Sequence, residues 1–523
     1  MKKIGIIGAG ISGLATAKAF KERGYHITVF EKAGDVGGVW EKSRSYLGVT
    51  TQTTKNEYAF SDFPMPADYP EWPTGDNMSA YLRNYATHFD VLKSIQFNTV
   101  VLNMEYRDKQ WIAEIYDIES QKTNVQAFDF MVVCTGTFHE KYMPAYPGME
   151  DYIAAGGQVR HSSEIKDDSV LKGKKVAVVG FAKSATDIAT QAADVSTSTT
   201  LLYRKAQWKV PRFFGNKVNL KYLLFSRFSE AFFLPYRKTT FQKFLHSLGK
   251  PMVWMQWRGI ELLLKKQFKL KECGMIPSHP IENQISCSLG IAPVGFYEKI
   301  QSKKITAINT EIDRFTSNEI VLKDGQKIRP DLLVFGTGFR QTLPFLNKKH
   351  QQLLRDEQGQ FQLYRNILSP KIKRLAFVGF NSSLFSTLTS EVAANWLAEY
   401  VNESIVLPSE TVIEAELKTI RDWKKNVRPI AAEFSGLCVA PFNFQHLDQL
   451  MRDMGLRTCA SRNAFYEFFK PINPKDYQKL LGKLNRNKIE TRTVRPIASM
   501  ISRQRTESIL SGRRDAGTNT PIV

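Results

Sequence analysis

The chain opens with Lys3-Ile-Gly-Ile-Ile-Gly-Ala-Gly-Ile-Ser-Gly13, and this stretch decides the fold. The apolar residues from 4 to 7 are typical of a buried parallel strand, and apolar residues at helical spacing resume from 14 to 20. A glycine-rich turn between such a strand and a helix is the form of a dinucleotide site, because the unpaired N–H groups at the helix N-terminus attract phosphates. The sequence therefore predicts an α/β nucleotide-binding fold.

Three glycines and one acid define this first nucleotide site. We expect Gly8 to permit the tight turn, Gly10 to let the backbone approach a pyrophosphate, and Gly13 to let the helix pack closely on the strand. The next apolar run ends in Glu31, about 20 residues after the turn, where a carboxylate can accept hydrogen bonds from both ribose hydroxyls. Because a carboxylate repels a 2′-phosphate, this site should hold FAD or NAD and not NADP.

Length and charge narrow the class of protein. A chain of 523 residues exceeds a single hydrophobic core and predicts two or three domains. The formal net charge of +21 would suit nucleic acid, but the basic residues are scattered and no nucleic-acid-binding motif is present, so we predict no nucleic-acid partner. Attraction to an anionic cofactor or to a membrane surface explains the charge as well.

Cysteine spacing and hydropathy exclude further classes. The five cysteines form no C-x-x-C pair and no metal-ligand spacing, which argues against a dithiol reductase and predicts no metal site. The apolar residues after Met1 already belong to the nucleotide-binding strand, and no run of 18 apolar residues occurs. We therefore predict a cytoplasmic protein and leave peripheral contact with a membrane surface open.

A second pattern of strand, turn and helix follows later in the chain. Residues 174 to 179 predict another buried strand, and Gly180 opens the turn, although alanine stands at the other two glycine positions, including Ala185. Since alanine narrows access to phosphates, a plain strand–turn–helix remains an alternative on residue chemistry alone. The next strand, however, ends in Arg204 and Lys205, which suit a 2′-phosphate. This second site should prefer NADPH.

Four motifs together resemble the flavin-containing monooxygenases, a family of flavoproteins that use FAD and NADPH. They are Gly8-Ala-Gly-Ile-Ser-Gly13, Gly37-Gly-Val-Trp40, Phe60-Ser-Asp-Phe-Pro-Met-Pro66 and Cys134-Thr-Gly136. A further fingerprint of the family, F-x-G-x-x-x-H-x-x-x-[FYW], is matched at Gly157 and His161, whereas Ala155 and Ile165 replace its aromatic ends. The resemblance covers about positions 1 to 400.

The resemblance implies two nested Rossmann-like domains, one for FAD and one for NADP(H), with a helical insert. We predict a first part of the FAD domain at 1–167, an NADP domain at 168–290, a second part of the FAD domain at 291–410, and a helical segment with a basic tail at 411–523. The insert, 207–275, is basic and aromatic, and we interpret it as amphipathic helices that cap the nucleotide site. An apolar substrate entry or a membrane-surface patch is the alternative.

Two strand-end turns and one late helix complete the predicted FAD site. Thr135-Gly136 and Thr337-Gly338 each follow a buried strand, and the resemblance makes them links between the domains. We assign the strand at 332–335, which precedes the second turn, to the FAD domain. Residues 387 to 396 predict a helix whose N-terminus the resemblance directs at the flavin, with Thr389 and Ser390 as its capping residues.

The predicted cofactor-binding residues come from these motifs and their neighbours. They are Gly8, Gly10, Ser12, Gly13, Glu31, Lys32, Gly38, Val39, Trp40, Thr51, Thr53, Val101, Thr135, Gly136, Gly180, Ser184, Ala185, Arg204, Lys205, Thr337, Gly338 and Thr389. One further residue is predicted to be catalytic. Many family members carry an asparagine near the flavin edge, in a T-N-T-[ST]-K loop, where this chain has Gln52 with its amide one methylene further out. Our hypothesis is that this displacement partly uncouples the reaction, so that some NADPH oxidation releases peroxide.

By resemblance, the predicted activity is an NADPH- and FAD-dependent monooxygenation. NADPH reduces the flavin, O2 adds at the flavin C4a position to give a hydroperoxide, and an oxygen atom passes to a soft nitrogen or sulfur. The alternatives are a Baeyer–Villiger monooxygenase that acts on a ketone, and a non-oxygenating flavoprotein that oxidises NADPH as a redox sensor. The predicted partners are thus a small-molecule substrate and O2.

Overall fold

Two parallel five-stranded sheets organise the fold in this computed structural model, which describes residues 2–285, 289–428, 435–484 and 492–494. The first sheet contains, in spatial order, Leu375–Phe377, Phe130–Val133, Lys3–Ile7, His26–Phe30 and Ile95–Gln96. The second contains Ile305–Asn309, Ser198–Tyr203, Lys175–Val179, Leu332–Phe335 and Gln158–His161. The central strand of each sheet leads into one of the two glycine turns. The predicted pair of Rossmann-like units is therefore confirmed.

A helix follows each glycine turn and packs on its sheet. Ile11–Lys21 follows the first turn and also packs against Ser386–Val401, whereas Lys183–Val195 follows the second. The other helices longer than ten residues are Gly75–His88, Lys250–Gln267, Glu410–Val427 and Asn443–Asp453. The shorter helices are Met149–Ala154, Lys221–Leu224, Arg227–Ala231, Thr240–Leu245, Ile281–Gln284, Phe296–Gln301, Lys348–Leu353, Ala464–Phe469 and Pro474–Leu481.

Antiparallel strands extend both units. Beside the first sheet lie Thr99–Arg107, Gln110–Asp117 and Lys122–Phe128, which bury Trp111 and Ile115 against Met131 and Val133 of that sheet. Beside the second sheet lie Ile312–Phe315, Ile320–Leu322 and Lys327–Ile328. Four strand pairs complete the described chain: Lys209–Val210 with Gly290–Ile291, Phe213–Phe214 with Val218–Asn219, Glu140–Lys141 with Phe339–Arg340, and Ile405–Val406 with Arg492–Thr493.

Strand membership differs from the prediction in the second half of the chain. Leu332–Phe335, which the sequence assigns to the FAD domain, pairs in register with Lys175–Val179 and with Gln158–His161, so it belongs to the second sheet. The reason is that parallel strands find their partners across long crossover connections, which local sequence does not encode. Ile305–Asn309 joins the same sheet. The second sheet thus draws strands from outside 168–290, and the limits of the domains themselves stay a prediction.

The late helix begins earlier than predicted. It spans Ser386–Val401 with Phe385 at the N-cap position, so Thr389 and Ser390 lie inside it. The prediction that these two residues cap the helix is therefore wrong. The Thr389 hydroxyl instead donates to the carbonyl of Phe385 at 2.7 Å, the bond back along the helix that serine and threonine commonly make in helix interiors.

The insert at 207–275 contains four helices, of which Lys250–Gln267 is the longest, and three short strands that the sequence did not predict. Within the described ranges, no helix combines the length and the apolar character needed to cross a membrane. Beyond position 494 the predicted basic tail lies outside the described residues.

Candidate functional site

A cleft of about 1380 Å³ runs along the carboxyl ends of strands of the second sheet and is closed on its other side by loops of the first unit. This is the end at which open α/β sheets bind their ligands. Its walls include ten predicted site residues: Lys32, Val39, Trp40, Gln52, Gly180, Ser184, Arg204, Lys205, Thr337 and Gly338. In the described structure the other predicted residues lie outside these walls: Gly8, Gly10, Ser12, Gly13, Glu31, Gly38, Thr51, Thr53, Val101, Thr135, Gly136, Ala185 and Thr389. Residues of both predicted sites thus meet along one cleft.

At the first glycine turn the helix packs so closely on the strand that a side chain at Gly13 would not fit. A Cβ at Gly13 would lie 1.8 Å from the carbonyl oxygen of Gly8, well inside any allowed contact. Gly10 faces Gly38, since a Cβ on Gly10 would lie 3.3 Å from the Cα of Gly38. The helix begins at Ile11 with Gly10 at the N-cap position, and in this described segment no side chain caps its N-terminus. Its first N–H groups therefore remain free to bind an anion.

Glu31 is buried at the end of the neighbouring strand and is tied to the turn. One carboxylate oxygen accepts the N–H of Ala9 at 2.7 Å, and the other accepts the N–H of Ala33 at 2.9 Å. These bonds fix the carboxylate beside the glycine turn. Each oxygen retains a further lone pair, so the group can still accept a hydroxyl of a ribose.

Ser12 lies where the first turn meets the late helix. Its hydroxyl is 3.0 Å from that of Ser390, and a Cβ on Gly379 would lie 1.7 Å from the Ser12 oxygen. Gly379 is a residue that the sequence analysis missed. This strand-end glycine makes room for Ser12. Sequence analysis could not foresee the contact because the two residues are far apart in the chain.

The threonines predicted at the flavin site divide into two kinds. Thr51 donates to the carbonyl of Thr53 at 2.8 Å, and Thr53 donates to the carbonyl of Leu384 at 2.6 Å, so both hydroxyl protons hold the loop in place. The hydroxyl of Thr135, in contrast, is buried without a hydrogen-bond partner among the described residues. Val101 is buried in the core of the antiparallel strands.

The second turn achieves its close packing differently. Gly180 has a φ of +122°, and a Cβ there would lie 2.7 Å from the carbonyl oxygen of Gly336. Ala185 packs against Gly336, where an added Cβ would lie 2.5 Å from the Cβ of Ala185. The alanine is therefore accommodated by a glycine on the neighbouring strand end, and the turn keeps the geometry that its sequence put in doubt.

Arg204 and Lys205 lie at the end of Ser198–Tyr203, exposed on the wall of the cleft. Within the described ranges, neither side chain forms an ion pair with a carboxylate. Their charges therefore face the cleft at the position where a dinucleotide places its adenosine ribose.

A polar cluster on the helix after the second turn was not foreseen. Asp187 accepts bonds from the Tyr46 hydroxyl at 2.9 Å and from the Lys183 ammonium at 2.5 Å. Burial, with the neighbouring Asp187 charge, raises the pKa of Tyr46 well above its usual value. Because Tyr46 comes from the first unit and Asp187 from the second, this cluster joins the two units beside the cleft. The sequence could have indicated this pair, because Lys183 and Asp187 lie four residues apart on a predicted helix.

Each strand-end turn is held by a histidine. His139 Nδ1 lies 3.1 Å from the carbonyl oxygen of Gly136, and His161 Nε2 lies 3.0 Å from that of Gly338. Burial lowers the pKa of both imidazoles. The fingerprint histidine His161 thus fixes the Thr337-Gly338 turn, which is a positioning role.

Gln52 stands where the cleft meets a second cavity. Its side-chain oxygen accepts the N–H of Ile291 at 3.2 Å. It also lines a narrow chamber whose walls are mostly apolar and come mainly from the insert and its return loop: Val210, Leu220, Leu224, Phe225, Phe233, Ile285, Leu289 and Ile291. Of the residues 207–275, Gln207 alone among the described walls borders the cofactor cleft. The insert therefore forms the chamber more than it caps the nucleotide site.

The residues present fit two dinucleotides. The close-packed first turn, the bound carboxylate of Glu31 and the unpartnered Thr135 hydroxyl suit a resident dinucleotide with a free 2′-hydroxyl. The cations Arg204 and Lys205 suit one with a 2′-phosphate. Two dinucleotide units with opposite ribose chemistry, both contributing residues to one cleft, define a flavoprotein oxidoreductase that is reduced by a nicotinamide coenzyme.

Comparison with known proteins gives the family. The chain matches the family described as flavin-binding monooxygenase-like over residues 1–432, and it belongs to that family. The resemblance drawn from the motifs is confirmed. The protein is therefore a flavin-dependent monooxygenase that uses FAD and NADPH.

Curated relatives and solved structures agree. The chain is 29% identical over 520 residues to a probable flavin-containing monooxygenase 1 of Arabidopsis thaliana, covering 91% of this chain and 96% of that one. It is 29% identical to flavin-containing monooxygenase 1 of Homo sapiens, covering 81% and 78%. Its fold is similar to that of S-allyl-L-cysteine S-oxygenase from Allium sativum, with a TM-score of 0.61, 16% identity and coverage of 98% and 99%. Steroid monooxygenase bound to NADP gives a TM-score of 0.60 at 18% identity, with coverage of 92% and 98%.

Proposed function

We propose that the protein oxygenates a soft nitrogen or sulfur atom of a small, largely apolar molecule, using NADPH and O2. The observation that carries this proposal is the narrow apolar chamber that begins at Gln52, where the cofactor cleft ends. The chamber itself is small, about 30 Å³, so in this proposal its apolar walls exclude water from the reacting atoms while the cleft of about 1380 Å³ beside Gln52 holds the substrate.

Each glycine turn has its own binding task in this proposal. The N–H groups of the first turn bind the pyrophosphate of FAD, and Glu31 accepts its ribose hydroxyls. Arg204 and Lys205 bind the 2′-phosphate of NADPH, and Ser184 lies with them on the cleft wall. When bound, FAD supplies the activation of O2. The protein supplies orientation and a dry chamber.

Gln52 is a polar side chain that lines both the cleft and the chamber. Its oxygen is held by the N–H of Ile291, which fixes the plane of the amide. The amide nitrogen is then oriented as a donor, and we propose that it donates a hydrogen bond at the reacting end of the flavin. Because the glutamine side chain is one methylene longer than asparagine, it changes the distance over which this hydrogen bond can form.

The direct test is NADPH-dependent O2 uptake by the FAD-loaded protein with a tertiary amine, a thioether and a cyclic ketone. We expect uptake and oxygenated product with the amine or the thioether. Product from the ketone alone would assign Baeyer–Villiger chemistry instead. NADPH consumption that no compound stimulates, with no oxygenated product, would assign a redox sensor.

A second test addresses Gln52. If its amide acts as proposed, Gln52→Ala should increase the share of NADPH oxidation that ends as peroxide, and Gln52→Asn should decrease it. The matched control is Gln326→Asn, on an exposed turn in the second unit. Equal peroxide yields in all these variants would remove Gln52 from the chemistry.

A further inference from the structure

A buried lysine that the sequence analysis did not single out lies beside the cleft. Lys209 is the first residue of the strand Lys209–Val210, which pairs in parallel with Gly290–Ile291. The residue is only 2% exposed. Lysine is rarely buried to this extent unless its ammonium is paired with an acid. The environment of this ammonium therefore needs an explanation.

The ammonium of Lys209 lies between the second glycine turn and Gln52. Its nitrogen is 5.3 Å from the centroid of the Phe181 ring, and Phe181 belongs to that turn. A Cβ on Gly290 would lie 3.7 Å from the Lys209 nitrogen and 3.5 Å from the side-chain oxygen of Gln52. Phe181, Gly290 and Gln52 all line the cleft. Lys209 thus brings a positive charge to the inner end of the cleft.

This charge has no counter-ion of its own. In the part of the chain that the structure describes, Lys209 forms neither an ion pair nor a hydrogen bond. The carboxylate that acts on it, Asp187, already accepts bonds from Lys183 and Tyr46. Burial lowers the pKa of Lys209 to about 7; the charge of Asp187 opposes this shift, whereas that of Lys183 adds to it. The buried site is therefore short of one negative charge.

The other titratable groups around Lys209 have partners or a fixed charge. Lys183 and Asp187 form an ion pair on the helix after the turn. The Tyr46 hydroxyl, which donates to Asp187, stays neutral because its pKa is raised well above its usual value. Arg212, further along the same segment, also feels the Asp187 charge, but a guanidinium stays protonated. Among the described neighbours, Lys209 is thus the group whose charge no partner fixes.

The missing negative charge matches the path of the coenzyme. The helix Lys183–Val195 starts at the second turn, and in this described segment no side chain caps its N-terminus. Free N–H groups at such a position bind the diphosphate of a dinucleotide. Arg204 and Lys205 lie on the cleft wall at the expected 2′-phosphate, and Gln52 lies where the cleft ends. A coenzyme that spans these points carries its diphosphate past the turn and past Lys209.

We propose that Lys209 is the counter-ion of the NADP(H) diphosphate and that it takes up a proton from solvent as the coenzyme binds. In the free protein Lys209 is shared between the neutral amine and the ammonium. The arriving diphosphate stabilises the ammonium, so one N–H bond forms at Nζ and one proton leaves the solution. No electron moves in this step.

Lys209 differs in its task from the cations that select the coenzyme. Arg204 and Lys205 are exposed and face the 2′-phosphate, which NAD(H) lacks. The diphosphate, in contrast, is common to NADP(H) and NAD(H), so Lys209 contributes to the affinity for both and not to the choice between them. FAD is not its partner, because FAD is held at the first turn and Lys209 packs against Phe181 of the second.

The test is calorimetric titration of the FAD-loaded protein with NADP⁺ at pH 8, in two buffers that differ in ionisation enthalpy. The difference between the observed heats gives the number of protons taken up on binding. We expect roughly 0.9 proton per coenzyme, because a lysine with a pKa of about 7 is mostly neutral at pH 8. The 2′-phosphate is already a dianion at this pH and takes up no proton.

Three variants isolate the role of the lysine. Lys209→Met should abolish the proton uptake and weaken the binding of NADP⁺ and NAD⁺ alike, roughly tenfold. Lys209→Arg carries a permanent charge, so it should keep the affinity at pH 8 and lose the proton uptake. Arg204→Gln should show the opposite pattern, with weaker NADP⁺ binding and unchanged proton uptake.

Lys299→Met is the matched control. Lys299 belongs to the helix Phe296–Gln301, which packs on Lys183–Val195, but its ammonium pairs with Asp194 at 2.5 Å outside the cleft walls. This variant should change neither the proton uptake nor the affinity. Flavin absorbance and melting temperature report folding. Lys209→Met should melt no lower than wild type, because it replaces an unpaired buried charge with an apolar chain of similar length.

Wild-type protein that binds NADP⁺ at pH 8 without taking up a proton would overturn the proposal and leave the coenzyme site standing. Unchanged proton uptake in Lys209→Met would assign the proton to another group and would also overturn it. FAD-loaded protein that binds neither NADP⁺ nor NAD⁺ would remove the coenzyme site itself, on which this inference rests.

Discussion

The two glycine turns build the same unit of strand, turn and helix by different means. In the first, the room for close packing lies within the turn, because Gly13 approaches the carbonyl of Gly8 directly. In the second, Ala185 takes the corresponding place, and Gly336, which follows the end of a strand more than a hundred residues away, supplies the room. A glycine motif can therefore be incomplete in sequence and complete in space.

The turns also differ in the charge that follows them. The first unit ends in the buried carboxylate of Glu31, which is bonded to the turn, whereas the second ends in the exposed cations Arg204 and Lys205. The buried acid suits a cofactor that stays, and the exposed cations suit one that comes and goes. The predictions below separate packing from charge in each unit.

The largest effect is expected from Gly13→Ala. Its Cβ would meet backbone, which cannot move aside as a side chain can, so helix and strand must separate. We expect loss of several kcal/mol of stability or failure to fold, and any protein recovered should be colourless. Thermal melting and the flavin absorption spectrum measure both effects.

The matched change in the second unit is Ala185→Gly. It should cost about 1 kcal/mol at most, as glycine in a helix does, and leave bound flavin unchanged. Equal damage from the two substitutions would contradict the difference between the turns.

The next effect concerns coenzyme choice. Arg204→Gln with Lys205→Gln removes the two cations at the expected 2′-phosphate position, and each charge-assisted bond is worth about 1.5–3 kcal/mol. We expect the KM for NADPH to rise roughly a hundredfold, with little change for NADH and with FAD content intact. Steady-state kinetics with both coenzymes measure this change.

An equally basic pair provides its control. Lys303→Gln with Lys304→Gln alters two exposed lysines before the strand Ile305–Asn309 and should leave both KM values unchanged. If the control substitutions raised the KM for NADPH as much as the substitutions at Arg204 and Lys205, the overall charge of the protein, and not this site, would select the coenzyme.

A smaller effect tests the compensation between Ala185 and Gly336. Gly336→Ala would place two Cβ atoms 2.5 Å apart and should lower stability by about 1–3 kcal/mol. Adding Ala185→Gly should recover part of that loss, although the glycine carries its own cost. Chemical denaturation of the two single variants and the double variant gives the coupling between the sites, and simple additivity would refute the compensation.

Much of the first unit could be predicted from sequence because its determinants are local. The strand, turn, helix and Glu31 lie within about 30 residues, and each residue type has one main physical reason to be there. The paired cations after the second turn were local as well. The structure confirms the predicted pair of units and places residues of both along one cleft.

The misses share a physical cause, which is contact between distant parts of the chain. Gly336 and Gly379 make room for Ala185 and Ser12, and neither pairing leaves a trace in local sequence. The strand Leu332–Phe335 was assigned to the wrong sheet because its partners lie across long connections. The caps at Thr389 and Ser390 were wrong because the helix starts before the stretch whose pattern was clear.

The smallest expected effect is a difference in pH dependence at the two strand-end turns. Burial lowers the folded-state pKa of His161 below its ordinary value near 6.5, so the unfolded chain takes up the proton more readily. This contribution to stability is complete above pH 6.5 and is lost as pH falls through the folded pKa. The melting temperature of the wild-type protein should therefore fall on acidification. The melting temperature of the His161→Asn variant should fall less steeply.

His139 provides the comparison at the other turn. Both of its ring nitrogens face carbonyl oxygens, those of Gly136 and Thr342, and these two contacts partly offset the burial that lowers its pKa. His139→Asn should therefore change the pH slope less than His161→Asn does. The same melting curves decide this, and a larger change from His139→Asn would reverse the assignment.

The most direct test of the account is equilibrium binding of 2′,5′-ADP and of 5′-AMP to the FAD-loaded protein by calorimetry. These ligands differ in the 2′-phosphate alone, so their affinities isolate the chemistry at Arg204 and Lys205 from turnover. We predict protein purified with one FAD per chain and at least roughly tenfold tighter binding of 2′,5′-ADP. Equal affinities, or a chain that takes up no FAD, would contradict the division of the two nucleotides between the two turns.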